Sequence, residues 1–142
     1  MKPLEGVRVL EIASIGPVPL AANTFLELGA EVIRVNNPNA VDLLPPSIDP
    51  SLKNRINITI DLKSEDGISL VKELLRGMDI LLEGNRPGVM EKIGLGPEIV
   101  HNINSKTVYI RLTGWGQEGE MKNDAGHDIN YLALSGVLSL LG

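Results

Sequence analysis

Residues 6–35 read GVRVLEIASIGPVPLAANTFLELGAEVIRV, and this stretch decides the fold. Gly6 to Ile12 is a β-branched apolar run of strand length. Pro17 and Pro19 follow where a helix would begin, and proline is tolerated in a first helical turn. Leu20 to Leu28 carries apolar residues at helical spacing, and Gly29 is a good helix stop. Ala30 to Val35 is a second strand. Strand, helix and strand in so short a span imply parallel pairing through a right-handed crossover.

The same alternation continues outward. Ile56 to Leu62 (INITIDL) predicts a third strand, Asp79 to Leu82 a fourth and Thr107 to Leu112 (TVYIRL) a fifth. Ser64 with Glu65 and Asp66 marks a helix start, and Ile68, Val71, Leu74 and Leu75 share one face of the helix that follows. Pro87–Ile93 and Pro97–Ile103 predict short helices. Ile129–Leu141 predicts one last helix, with Gly142 as its stop. Residues 36–54, rich in Asn, Pro, Ser and Asp, form a long loop, and 113–126 a glycine-rich one. The fold class is therefore α/β, an open and mostly parallel sheet covered on both faces. Ligands in such sheets sit beyond the C-terminal strand ends. Here those ends are Ala13–Pro19, Asn36–Arg55, Glu83–Gly88 and Thr113–His127.

Composition excludes several functions. The 142 residues carry a net charge of −5, which disfavours nucleic acid as a partner. There is no cysteine, so disulfides, thiolate nucleophiles and cysteine metal sites are ruled out. That usage suits a reducing, cytoplasmic setting. No apolar run approaches the ~20 residues of a membrane helix, so no membrane partner is expected. The four aromatic residues are Phe25, Tyr109, Trp115 and Tyr131, so Leu, Ile, Val and Ala must build the core. The first strand-to-helix turn has only Gly16 where a dinucleotide site needs Gly-x-Gly-x-x-Gly. No metal site and no separate cofactor are expected.

Two groups of residues carry chemistry. Arg34, Lys53, Arg55, Arg86 and Lys92 stand near the ligand edge, where phosphates need charge-assisted donors. Lys53 and Arg55, within the long loop, are the better candidates, although ordinary solvated charge is the default for each. The segment Ala125-Gly126-His127-Asp128-Ile129-Asn130-Tyr131 joins the glycine-rich loop to the last helix. A neutral imidazole is a general base near pH 7, and N–H groups at a helix start can hold a developing oxyanion. A loop-fixing or capping role is the simpler reading of His127. His101, on a surface helix, reads as structural.

Several stretches resemble the family III CoA-transferases: PLEGVRVLEIASIGPVP, LGAEVIRV, Asp61-Leu62-Lys63, LLEGNRPGVMEKIGLGPE and YIRLTGWGQEG. The resemblance spans about residue 3 to residue 142. Within that superfamily AGHDINYLALSGVLS resembles the branch that racemises 2-methylacyl-CoA thioesters. The resemblance implies a doubly wound, Rossmann-like CoA-binding domain, of which residues 1–142 are the N-terminal portion, within an interlocked homodimer. It implies His127 as the catalytic base and Lys53, Arg55 and Arg86 as CoA-binding positions. Gly126, Asp128, Ile129, Asn130 and Tyr131 would line the thioester. Coenzyme A would enter as part of the substrate.

Two departures stand out. Asn36-Asn37 occupies the place of the family's frequent Asp-Arg, and Ile56 that of a second basic residue. Family members are more than twice as long. The opposite-face acid and the further domains are therefore expected beyond Gly142, and the chain alone is expected not to complete an active site. The resemblance leaves two other functions open, CoA transfer between carboxylates and CoA binding without catalysis.

Overall fold

The computed structural model describes residues 1–40, 48–50 and 52–141. The first apolar run becomes the central strand, β1 (Arg8–Ile12). Pro17 opens α1 (Pro17–Glu27), so the helix begins three residues before the periodic stretch that the sequence marks. Glu31–Asn36 is β2, Ile56–Thr59 β3, Ile80–Glu83 β4 and Val108–Arg111 β5. Between them run α2 (Glu65–Leu75), α3 (Val89–Lys92) and α4 (Pro97–Ile103). The strand order is β3-β2-β1-β4-β5, and every pairing is parallel. This is the doubly wound order, with its reversal between β1 and β4. Part of the expected long loop, residues 41–47 and 51, lies outside the described residues, as does Gly142.

Alternate residues of each buried strand feed two cores. Leu10, Ile12, Ile33, Val35 and Leu81 meet Val71, Leu75 and Val100 of α2 and α4 on one face. Val9, Val32 and Leu82 meet Val18 and Ala22 of α1 on the other. The Asp61-Leu62-Lys63 stretch is a helix entry: Ser64 Oγ accepts from Gly67 N at 3.0 Å and donates to the Asp61 carbonyl at 2.9 Å. A side chain at Gly67 would strike that same carbonyl, so only glycine closes the turn. His101 Nε2 donates to the Thr107 carbonyl at 3.1 Å, tying α4 to the start of β5.

The last element differs from the expected single helix. Helix α5 covers Asp128–Leu134 only, and a 3₁₀ turn at Val137–Leu140 follows. Gly136, at φ 78°, stands in the left-handed region between them and breaks the helix. No residue of either piece is buried. Ile129 is 63% exposed and Leu140 81%, so most of this apolar stretch is uncovered among the described residues. No helix among the described residues is long and apolar enough to cross a membrane.

Candidate functional site

A cavity of about 960 Å³ opens where the strand order reverses, over the ends of β1, β4 and β5. Ser14, Gly16 and Pro17 bound it from the β1–α1 turn, and Gly84, Asn85 and Arg86 from the β4 loop. Gly114 and Trp115 form the wall after β5, and Lys122, Asp124, His127 and Tyr131 the far side. Gly84 makes the close approach possible: a Cβ there would lie 2.7 Å from Val18 Cγ2 and 2.8 Å from Ser14 Oγ. The position agrees with the general rule for open α/β sheets, that ligands bind at the switch point.

His127 is the N-cap residue of α5, and its side chain is exposed to the cavity. Asn130 Oδ1 accepts from His127 N at 3.0 Å, which fixes the backbone and leaves the imidazole out of that bond. Four residues later on the same helix stands Tyr131, whose ring lies 4.9 Å from Trp115 at an interplanar angle of 56°. The Tyr131 hydroxyl fills the space that a side chain at Gly114 or Gly126 would need. The two loop arms therefore close on one phenol, and a side chain at either position would displace it. Helix α5 is shorter than expected, so the dipole at His127 is correspondingly weaker.

Not every expected residue reaches the cavity. Arg86, Gly126, His127, Asp128 and Tyr131 line it; Lys53, Arg55, Ile129 and Asn130 do not. Arg34 and Arg55 lie inside the fold. Both bind Glu11, a fully buried carboxylate on β1: Arg34 through Nη1 to Oε1, and Arg55 through Nε to Oε2 at 2.7 Å. Arg55 also donates to the carbonyls of Pro19, Pro50 and Lys53. Its guanidinium thus lies away from solvent, contrary to the reading of a ligand-facing cation. A salt bridge across 44 residues leaves no periodic trace, and Glu11 sits in what reads as an apolar strand.

Sequence reading also passed over a second cavity, of about 480 Å³, between α2 and α3. Lys63, Lys72 and Lys92 surround it together with Ser64 and Ser69. Among the described residues none of these three ammonium groups is ion-paired. Only Lys92 had stood out by position; Lys63 and Lys72 are brought to it by the fold, nine residues apart on the α2 entry and helix.

The loop after β5 is anchored from below. Arg111 Nη1 donates to Gln117 Oε1 at 2.7 Å, Nη2 binds Glu91 Oε1, and Nε lies 3.5 Å from Glu83 Oε1. The hydrogen bond from Arg111 holds the Glu91 carboxyl below the usual range. Burial raises the Glu83 carboxyl despite the bond that it accepts from Asn85 N. A carboxyl raised on folding stabilises below its unfolded pKa, and that stability is lost as pH rises through the folded value. Glu83→Gln stays neutral throughout. Its melting temperature relative to the parent is therefore expected to climb as pH rises from the acid side to neutrality. Calorimetry across that range checks this, and a flat difference contradicts it.

Residues 4–142 match the family described as CoA-transferase family III. The chain is 43% identical over 139 residues to an alpha-methylacyl-CoA racemase of Mus musculus, covering 98% of this chain and 35% of that protein. It is 35% identical over 153 residues to a succinyl-CoA:glutarate CoA-transferase of Mus musculus, covering all of this chain and again 35% of the relative. The crystal structure of the hypothetical protein Rv3272 from Mycobacterium tuberculosis superposes with a TM-score of 0.86 at 34% identity, over 96% of this chain and 41% of that one. The chain thus spans about a third of the length of the curated relatives it matches.

Proposed function

Because the chain belongs to CoA-transferase family III, we propose that it is the coenzyme-A-binding part of an enzyme that racemises 2-methylacyl-CoA thioesters. The observation that carries this reading is the place of His127, an imidazole on the rim of the switch-point cavity. Racemisation requires removal of the hydrogen α to the thioester carbonyl, and a neutral imidazole is a suitable base. His127 takes that proton from one face. An acid on the opposite face, expected from chain beyond these residues, returns one.

The cations fit the rest of the substrate. Arg86 on the cavity wall and Lys63, Lys72 and Lys92 around the second cavity supply donors for phosphate groups. Lys53, exposed on the turn before β3, adds another. Gly126, Asp128 and Tyr131 border the thioester, with Ile129 and Asn130 supporting them from α5. The substrate brings its own coenzyme A, so no further cofactor enters. The protein works as a cytoplasmic homodimer in this reading, and the exposed apolar stretch at 129–141 favours association.

A second reading is transfer of CoA between carboxylates, favoured by the identity with the transferase over the whole chain. The two are separated by incubating the full-length protein with a 2-methylacyl-CoA in deuterated water. Deuterium entering at the α-carbon with loss of optical purity is expected. Movement of CoA to an added carboxylate, without α-exchange, overturns the racemase reading.

A further inference from the structure

The turn that leads into β3 is held by more bonds than its length requires. Arg55 ties four acceptor groups on three segments to one buried guanidinium. Its Nε donates to Glu11 Oε2 on β1 at 2.7 Å, and Nη2 to the Pro19 carbonyl in α1 at 2.8 Å. Its Nη1 donates to the Pro50 carbonyl at 3.3 Å and the Lys53 carbonyl at 3.2 Å. From the solvent side, Asn57 Nδ2 donates to the carbonyls of Leu52 at 2.8 Å and Arg55 at 3.2 Å. Asn36 Nδ2 in turn donates to Asn57 Oδ1 at 3.3 Å, and Arg34 Nε to Asn36 Oδ1 at 2.9 Å, which closes a chain back to Glu11.

Inside this frame Asn54 holds φ at 60°, the sole non-glycine residue in the left-handed region among those described. Asparagine adopts this conformation more readily than other side chains do, which suits it to the tight turn. Lys53, next to it, is exposed. Arg55 has no exposed side-chain surface, so an anion cannot reach it without opening the turn. Its planar fork suits this use, since one group accepts the geometry of a carboxylate and several carbonyls at once.

We propose that Arg55 is a positioning residue: anchored on Glu11, it locks the 52–57 turn so that Lys53 meets a phosphate of the ligand, and it makes no ligand contact itself. This rests on the CoA reading above. It also ties two ligand-edge loops together, because Pro19 belongs to the helix whose first residue, Pro17, borders the main cavity. Fixing the turn before the ligand arrives lowers the ordering cost of binding.

The test is a double-mutant cycle read by titration of the full-length protein with CoA at several salt concentrations. Lys53→Ala is expected to weaken binding about tenfold, as loss of one charge-assisted contact does, and to lower the salt slope. Arg55→Lys keeps a cation on Glu11 but cannot hold three carbonyls, and is expected to lose a similar factor. The double variant should be no weaker than the weaker single. Asn57→Ala, which loosens the turn from outside and leaves the buried pairs intact, should fall the same way. Additive losses in the double variant would show that Arg55 contributes to binding independently of Lys53 and overturn the proposal. So would full affinity in both Arg55→Lys and Asn57→Ala.

A wild-type protein that takes up no CoA sinks the CoA reading instead. Amide exchange in the ligand-free protein then decides the clamp. Faster exchange over 52–57 in Arg55→Lys and Asn57→Ala upholds it, and unchanged exchange removes it.

Discussion

Replacing His127 by alanine in the full-length protein is expected to slow α-proton exchange by about 10²- to 10⁴-fold, the usual contribution of a positioned general base. CoA affinity should stay nearly constant, because the imidazole stands on the rim of the switch-point cavity and away from the lysines around the second one. His127→Gln retains size and polarity but cannot take a proton at neutral pH, and should be almost as slow. The backbone geometry should survive both changes, since Asn130 Oδ1 still accepts from the His127 amide. Deuterium wash-in at the α-carbon, followed by mass spectrometry, reads the effect. Near-normal exchange in His127→Ala would remove the proposed base, and intact CoA transfer in that variant would favour the transferase reading.

The second large effect concerns stability. Glu11→Ala is expected to cost about 3–5 kcal/mol, the range for a buried ion pair that loses one partner. Two guanidiniums, Arg34 and Arg55, would remain inside the fold with no carboxylate between them. Exposed pairs elsewhere behave differently: Arg76–Glu73 at 2.9 Å is open to solvent on both sides, and its loss should be worth less than about 1 kcal/mol. Replacing Glu11, Arg34 and Arg55 together by apolar residues of similar volume should recover much of the loss. Urea denaturation of the three proteins measures this. A cost below about 1 kcal/mol for Glu11→Ala would mean that water reaches the cluster.

The sheet was legible because buried parallel strands leave nearly continuous apolar runs, as in Val32–Val35 and Ile80–Leu82. The ligand edge followed from the C-terminal ends of the strands, and the junction at Gly126–His127 from the meeting of a glycine-rich loop with an apolar helix. What stayed hidden was long-range or conformational. Glu11 lies in an otherwise apolar strand, and nothing local announces that its partners are 23 and 44 residues away. Gly136 lies inside the stretch that reads as one helix, yet its positive φ ends the helix there. Lys63 and Lys72 look like ordinary surface charge until the fold sets Lys92 across from them.

Trp115 is the chain's single tryptophan, and it stands in the wall of the switch-point cavity with its indole N–H buried and without an acceptor among the described residues. Its fluorescence therefore reports from one place only. Tyr131, 4.9 Å away, feeds it excitation energy over a distance at which transfer is nearly complete. A molecule that displaces water from this wall, or a shift of the loop that carries Trp115, changes the colour and intensity of that emission. The protein thus carries its own optical gauge of cavity occupancy, with no label attached.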